Sequence, residues 1–141
     1  MFIIKILCVG RVKETWLEEA MAEYVRRLSP VAKIETVWVG EDVQLLRLVA
    51  KERQIICLDP QGQQLDSLAF ASLIQAKLIE GGSRLTFVIG GPDGLPHDLR
   101  AGPWTRVSLS SLTFTHQLAR LILAEQLYRS FEILRGSPYH R

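Results

Sequence analysis

Short apolar runs alternate with stretches of helical periodicity along the chain, and this alternation narrows the possible folds more than any other feature. Phe2 to Val9 is apolar except for Lys5, as expected of a strand covered on both faces. Gly10 ends it. Glu14 to Leu28 then carries one helical stripe of Trp16, Leu17, Ala20, Met21, Tyr24, Val25 and Leu28, with Glu23 placed four residues before Arg27. Ser29-Pro30 stops the helix, and Ile34 to Val39 reads as a second strand. The next helix has Glu41 and Asp42 at its start and Lys51 and Arg53 at its end, as the helix dipole favours. Gln54 to Leu58 is a third strand, closed by a turn at Asp59-Pro60-Gln61-Gly62. A helix from Ser67, capped by Asp66 or Ser67, ends at Gly81-Gly82. Leu85 to Ile89 is a fourth strand, His97 to Arg100 a short helical turn, and Arg106 to Leu109 a fifth strand. Thr115 to Leu134 is the last and longest helix. Strand-helix alternation predicts an α/β layer with a mostly parallel sheet flanked by helices. Ligands of such sheets gather at the carboxyl ends of the strands.

At 141 residues the chain is read as one domain, 1–141. No apolar run reaches the roughly 18 residues of a membrane span. The opening FIIKILCVG lacks a basic leader and a small-residue cleavage site, so it reads as a buried strand rather than a signal peptide. Cys8 and Cys57 each lie inside an apolar run, with no ligand pairing for a metal. Buried free thiols suit a reducing cytoplasm, the expected location.

The net charge of +2 by itself predicts no nucleic-acid partner, but its distribution is uneven. Residues 1–96 hold 11 Lys/Arg and 12 Asp/Glu, whereas residues 97–141 hold 6 Arg, no Lys and 3 acids. An arginine-only cationic end suits bidentate phosphate contact, and it is equally compatible with ordinary scatter. Arg100, Arg106, Arg129 and Arg135 are the candidates for phosphate, or solvated surface charges.

Three loops at strand ends carry the candidate chemistry. In LDPQG, Leu58 to Gly62, an aspartate closes a strand as in a phospho-accepting receiver. That reading needs a lysine closing the last strand, where Leu-Ser-Ser-Leu stands, so a plain turn is preferred. FVIGGPDGL, Phe87 to Leu95, places three glycines within five residues. These glycines let the backbone approach a ligand, or make a tight turn, and neither the dinucleotide nor the P-loop pattern is present. LSSLTFT, Leu109 to Thr115, offers hydroxyls and backbone groups that could read an adenine edge between the walls of Leu112 and Phe114. It also supplies a helix cap in Thr113 or Thr115. The helix after it carries more apolar residues than one stripe accommodates, so it is covered on more than one side, by the core, by a second copy in a two-fold dimer, or by both.

FVIGGPDGL, the run LSSLTFTHQLARLILAEQLYR and the terminal SPYHR closely resemble the ribosomal RNA large-subunit methyltransferase H family of the SPOUT class. The resemblance spans nearly the whole chain, including the opening strand and the AEYVRRL helix. It implies a fold with a C-terminal trefoil knot and a homodimer. It further implies S-adenosyl-L-methionine as cofactor and methylation of N3 of a pseudouridine in large-subunit rRNA, with no metal and no membrane. The alternative is a non-catalytic RNA- or ribosome-binding homodimer holding a nucleotide-like ligand in the same cleft.

Carried onto matching positions, the resemblance implies that the cofactor touches Leu58, Gly90, Leu109, Ser110, Ser111, Leu112, Thr113 and Phe114, with Gly91 beside them. Tyr139, His140 and Arg141 match the terminal signature and are the implied catalytic residues, reaching the target base within one chain or across the dimer. Loss of the N3 proton calls for a base or for stabilisation of an anionic ring. His140 is a candidate base, and Tyr139 or Arg141 a stabiliser of charge on the carbonyl oxygens. His116, in the first helical turn, is expected to make a local structural hydrogen bond. Two positions depart from the family pattern: the segment after Val39 is short, and Thr115 stands where proline often precedes the His-Gln pair.

Overall fold

The computed structural model describes residues 1–11 and 14–140; Arg141 lies outside the described residues. Five strands, β1 (Phe2–Val9), β2 (Ala32–Val39), β3 (Ile55–Gln64), β4 (Arg84–Ile89) and β5 (Thr105–Ser108), form one sheet in the order β2-β1-β4-β3-β5. Every pairing is parallel. The helices are α1 (Thr15–Leu28), α2 (Asp42–Val49), α3 (Ser67–Glu80), α4 (His97–Ala101) and α5 (His116–Leu134). The expected α/β architecture is present.

The period-2 pattern of the strands makes two cores. Ile4, Ile6 and Cys8 of β1, Ile56 and Leu58 of β3, and Leu85, Phe87 and Ile89 of β4 face one side, where Leu28, Phe70, Ile74, Leu123 and Leu127 cover them. Leu7, Val9, Ile55, Cys57 and Val88 face the other, under Leu45, Val49, Leu95 and Leu99. Each side chain of this kind contributes about 1.5–3 kcal/mol when fully buried. The one charge inside β1 is matched: Lys5 Nζ donates to Glu52 at 2.6 Å, and Glu52 also accepts from the Thr86 hydroxyl at 3.1 Å.

α5 lies between α1 and α3 on one face of the sheet. Sheet and two helices thus cover most of its circumference within one chain, which accounts for much of its excess apolarity. Its start is capped by Thr115, whose hydroxyl accepts from Leu118 N at 3.3 Å. Its end is a left-handed glycine cap. Gly136 has φ +77°, Gly136 N donates to Ile133 O at 3.0 Å, and Ser137 N donates to Glu132 O at 3.0 Å. The cap reverses the chain and lays residues 137–140 back along α5.

Two sequence expectations are corrected here. Trp16 is 56% exposed, because the buried stripe of α1 runs through Leu17, Met21 and Leu28, and Trp16 sits about 100° around the helix from Leu17. The Asp59-Pro60-Gln61-Gly62 segment is not a turn that ends the strand. β3 continues to Gln64 through a register irregularity, after which Gln63 and Gln64 pair with Val107 and Ser108. The expected bounds of the other elements hold to within a few residues, β2 beginning at Ala32 and α2 ending at Val49.

Candidate active site at the carboxyl ends of β3, β4 and β5

Three adjacent strands end at the same rim of the sheet, and their loops enclose a cleft of about 290 Å³. Leu58 ends the regular part of β3 there. Gly90 and Gly91 follow β4, and Leu109, Ser110, Leu112, Thr113 and Phe114 follow β5. Parallel strands bring these residues together because all their carboxyl ends point one way.

The β4 loop is a hydrogen-bonded turn, with Gly94 N donating to Gly91 O at 2.9 Å and Gly94 at φ +83°. Proline at the second position and glycine at the fourth suit that geometry. Within this turn Gly90 also lies against the backbone of its own loop. A Cβ on Gly90 would overlap the carbonyl carbon and oxygen of Gly94 and lie 2.7 Å from Leu95 N. The β5 loop is braced internally. Ser108 Oγ donates to Ser110 O at 2.9 Å, and Leu112 N donates to Ser110 Oγ at 3.0 Å. Leu112 stands at the mouth of the cleft, 72% exposed.

Ser111 does not line the cleft with its neighbours. It is exposed, and its hydroxyl accepts from Gln64 Nε2 at 2.6 Å, tying the loop to the end of β3. Sequence reasoning missed Gln61, Leu95 and Ala119 in the cleft wall and gave Asp59 only a turn. Asp59 is buried, accepts from Gln61 N at 3.0 Å and pairs with Arg106 at 2.9 Å. The pair holds the β3 extension against β5. Arg106 is therefore committed to a carboxylate, as are Arg129 to Glu125 and Arg135 to Glu132, whereas Arg100 lines the cleft. His116 also lines it, and its Nε2 is buried without a hydrogen-bond partner among the described residues.

Tyr139 and His140 are not in this cleft. Tyr139 hydroxyl donates to Glu125 Oε2 at 3.0 Å, and its ring meets Tyr128 edge-on at 4.8 Å. Burial, reinforced by the Glu125 carboxylate, pushes its hydroxyl up to about 12, so it stays protonated at neutral pH and keeps this hydrogen bond. Arg129 Nη1 lies 3.0 Å from His140 Nδ1. A guanidinium only donates, so Nδ1 accepts and the neutral ring carries its proton on Nε2. His140 lines a second cavity, of about 400 Å³, between the start of α3, β5 and α5. Leu109 lines both cavities.

A family model described as "Predicted SPOUT methyltransferase" matches residues 2–140. The chain belongs to the SPOUT methyltransferase family. It is 51% identical over 141 residues, all of both chains, to a Protochlamydia amoebophila protein named ribosomal RNA large subunit methyltransferase H. It is 38% identical over 157 aligned positions, covering 98% of this chain and 99% of the relative, to the protein of that name from Carboxydothermus hydrogenoformans. The structure of a probable methyltransferase from Bordetella pertussis Tohama I superposes with a TM-score of 0.57 at 10% identity, covering 90% of this chain and 95% of that one. That likeness bears on the fold alone. As a SPOUT methyltransferase of the large-subunit methyltransferase H branch, the chain is an enzyme that transfers methyl groups. Only Gly40 and Glu41 lie between β2 and α2.

Proposed function

We propose that this SPOUT methyltransferase uses S-adenosyl-L-methionine to methylate N3 of a pseudouridine in large-subunit ribosomal RNA, acting in the cytoplasm as a homodimer. Residues 1–141 form one domain in this reading, and the chain is knotted where α5 follows the β5 loop. One observation carries the cofactor assignment. Seven of the eight residues expected to touch it, all except Ser111, line one cleft. The donor set fits: apolar walls from Leu58, Leu112 and Phe114 suit an adenosyl group, and the backbone of the β4 and β5 loops supplies polar edges. When bound, the cofactor supplies an electrophilic methyl on a sulfonium, and the protein supplies orientation and electrostatics.

The chain's residues then have distinct tasks. The Gly90–Gly94 turn and the braced Ser108–Leu112 loop hold the cleft open to one ligand shape. Tyr139, hydrogen-bonded to Glu125, fixes the tail on α5. His140, with Nδ1 engaged by Arg129, presents an Nε2–H that can donate to a carbonyl oxygen of the target ring while the N3 proton passes to water, so in this arrangement it stabilises the anionic ring rather than acting as the base. Arg141 is assigned to the same stabilisation from its place in the terminal signature. The two-fold dimer rests on the partial exposure that remains on α5, at Leu118 and Leu134.

Labelled S-adenosyl-L-methionine with purified protein should label 50S subunits or ribosomes. Cofactor binding with no transfer to any RNA would instead establish the binding-module alternative. Deleting Tyr139 to Arg141 should abolish transfer while leaving the cofactor Kd within about twofold, because Tyr139 and His140 lie outside the cleft. Equal loss of both would refute the division of labour.

A further inference from the structure

We propose that the second cavity is the seat of the target base: a single pyrimidine of the uracil type, turned out of its RNA helix, sits between the start of α3, β5 and α5. The inference rests on the methyltransfer reading above and adds where the substrate ring lies.

Position is the first argument. Leu109 lines both cavities, and Ala119 of the cleft is followed at helical spacing by Ile122 and Gln126 of the second. The two cavities share Leu109 and follow one another along α5, which sets a ring seated in one beside a ligand seated in the other. The lining chemistry is the second. A uracil-type edge alternates carbonyl, imide N–H and carbonyl, so its seat needs donors and an acceptor between apolar walls. Phe70, Val107 and Ile122 supply walls, while Ser67, Ser108, Gln126 and His140 supply polar groups from three elements and the tail. Ser67 Oγ donates to Gln126 Oε1 at 2.8 Å and Ser108 Oγ donates to Ser110 O, which leaves both hydroxyl oxygens free to accept. The third is the rim. Leu68, in the first turn of α3, is 55% exposed beside the cavity although it is a large apolar residue. An apolar lip at the mouth is what an unstacked base requires in place of its lost neighbours. The volume of about 400 Å³ lies within the range of small-molecule sites.

Leu68→Trp tests the seat, since an exposed position tolerates the larger ring and the indole would cover the opening. Ser67→Ala is the second variant, removing one hydroxyl without filling space. Cofactor binding is measured by calorimetry with S-adenosyl-L-methionine, and transfer with labelled cofactor and 50S subunits. Leu68→Trp should lower kcat/KM for the RNA at least tenfold, and Ser67→Ala severalfold, with the cofactor Kd of both within twofold of wild type. Wild-type transfer with Leu68→Trp transferring normally would overturn the seat and leave the methyltransfer reading standing. Equal loss of cofactor affinity and transfer in both variants would also overturn it, since the residues would then be serving the cleft. Wild-type protein that binds no cofactor or labels no RNA would sink the underlying reading itself.

Discussion

Replacing Gly90 by alanine should damage this protein far more than the same change at Gly91, although the two are adjacent and both line the cleft. The new methyl at Gly90 meets backbone: the Gly94 carbonyl overlaps it, and Leu95 N lies 2.7 Å away. Ordinary carbon contacts begin near 3.5 Å, so the turn must shift by the better part of an ångström. A methyl on Gly91 meets only Val9, with Cγ1 at 3.2 Å and Cβ at 3.5 Å, and a side-chain methyl can yield a few tenths of an ångström. Overpacking against fixed backbone costs about 3 kcal/mol, against about 1 kcal/mol or less for the yielding neighbour. For a chain of this size those figures correspond to melting-temperature losses of about 10 °C and about 3 °C. Scanning calorimetry without ligand reads both. Because the displaced Gly94-Leu95 segment also lines the cleft, Gly90→Ala should weaken S-adenosyl-L-methionine binding at least tenfold, about 1.4 kcal/mol. Equal melting temperatures for the two variants, or a lower one for Gly91→Ala, would show that the Gly90–Gly94 approach does not bear on stability.

Two further outcomes follow from buried ionisable groups. Burial raises the Cys8 thiol to about 12 and the Cys57 thiol to about 11, so neither forms thiolate at pH 8. Iodoacetamide should label neither cysteine in the native protein and both after unfolding; rapid native labelling would contradict their packing. Since the folded values exceed the ordinary 9.0, stability from these neutral thiols is complete below about pH 9 and is lost as pH rises through 11 to 12. Tyr139 behaves likewise, raised from 10.0 to about 12. Tyr139 should ionise late in an absorbance titration, and Tyr139→Phe should remove that late phase. Survival of the late phase in the variant would assign it to another ring.

Much of the fold was legible locally. The apolar runs of β1, β3 and β4 announced buried parallel strands, because side chains must be apolar on both faces when helices cover both. Thr115 and the Gly91–Gly94 turn were legible because caps and turns are short-range chemistry. Trp16 failed because a stripe of seven residues at helical spacing is wider than the contact the helix makes, and only packing decides which edge stays wet. Pro60 misled because a proline can sit within a strand at an irregularity where no ladder bond is needed. Ser111 failed because its partner, Gln64, lies 47 residues away.

Residue order alone settled that strands and helices alternate, that the strands are buried, and that glycine- and hydroxyl-bearing loops follow β4 and β5. Those properties depend on a few neighbouring residues. The strand order, the Asp59–Arg106 pair and the folding of the tail onto Glu125 and Arg129 came only from the three-dimensional arrangement. So did the two cavities that share Leu109. Each depends on which distant segments become neighbours, and that choice is made by the free energy of the whole packed chain rather than by any stretch of it.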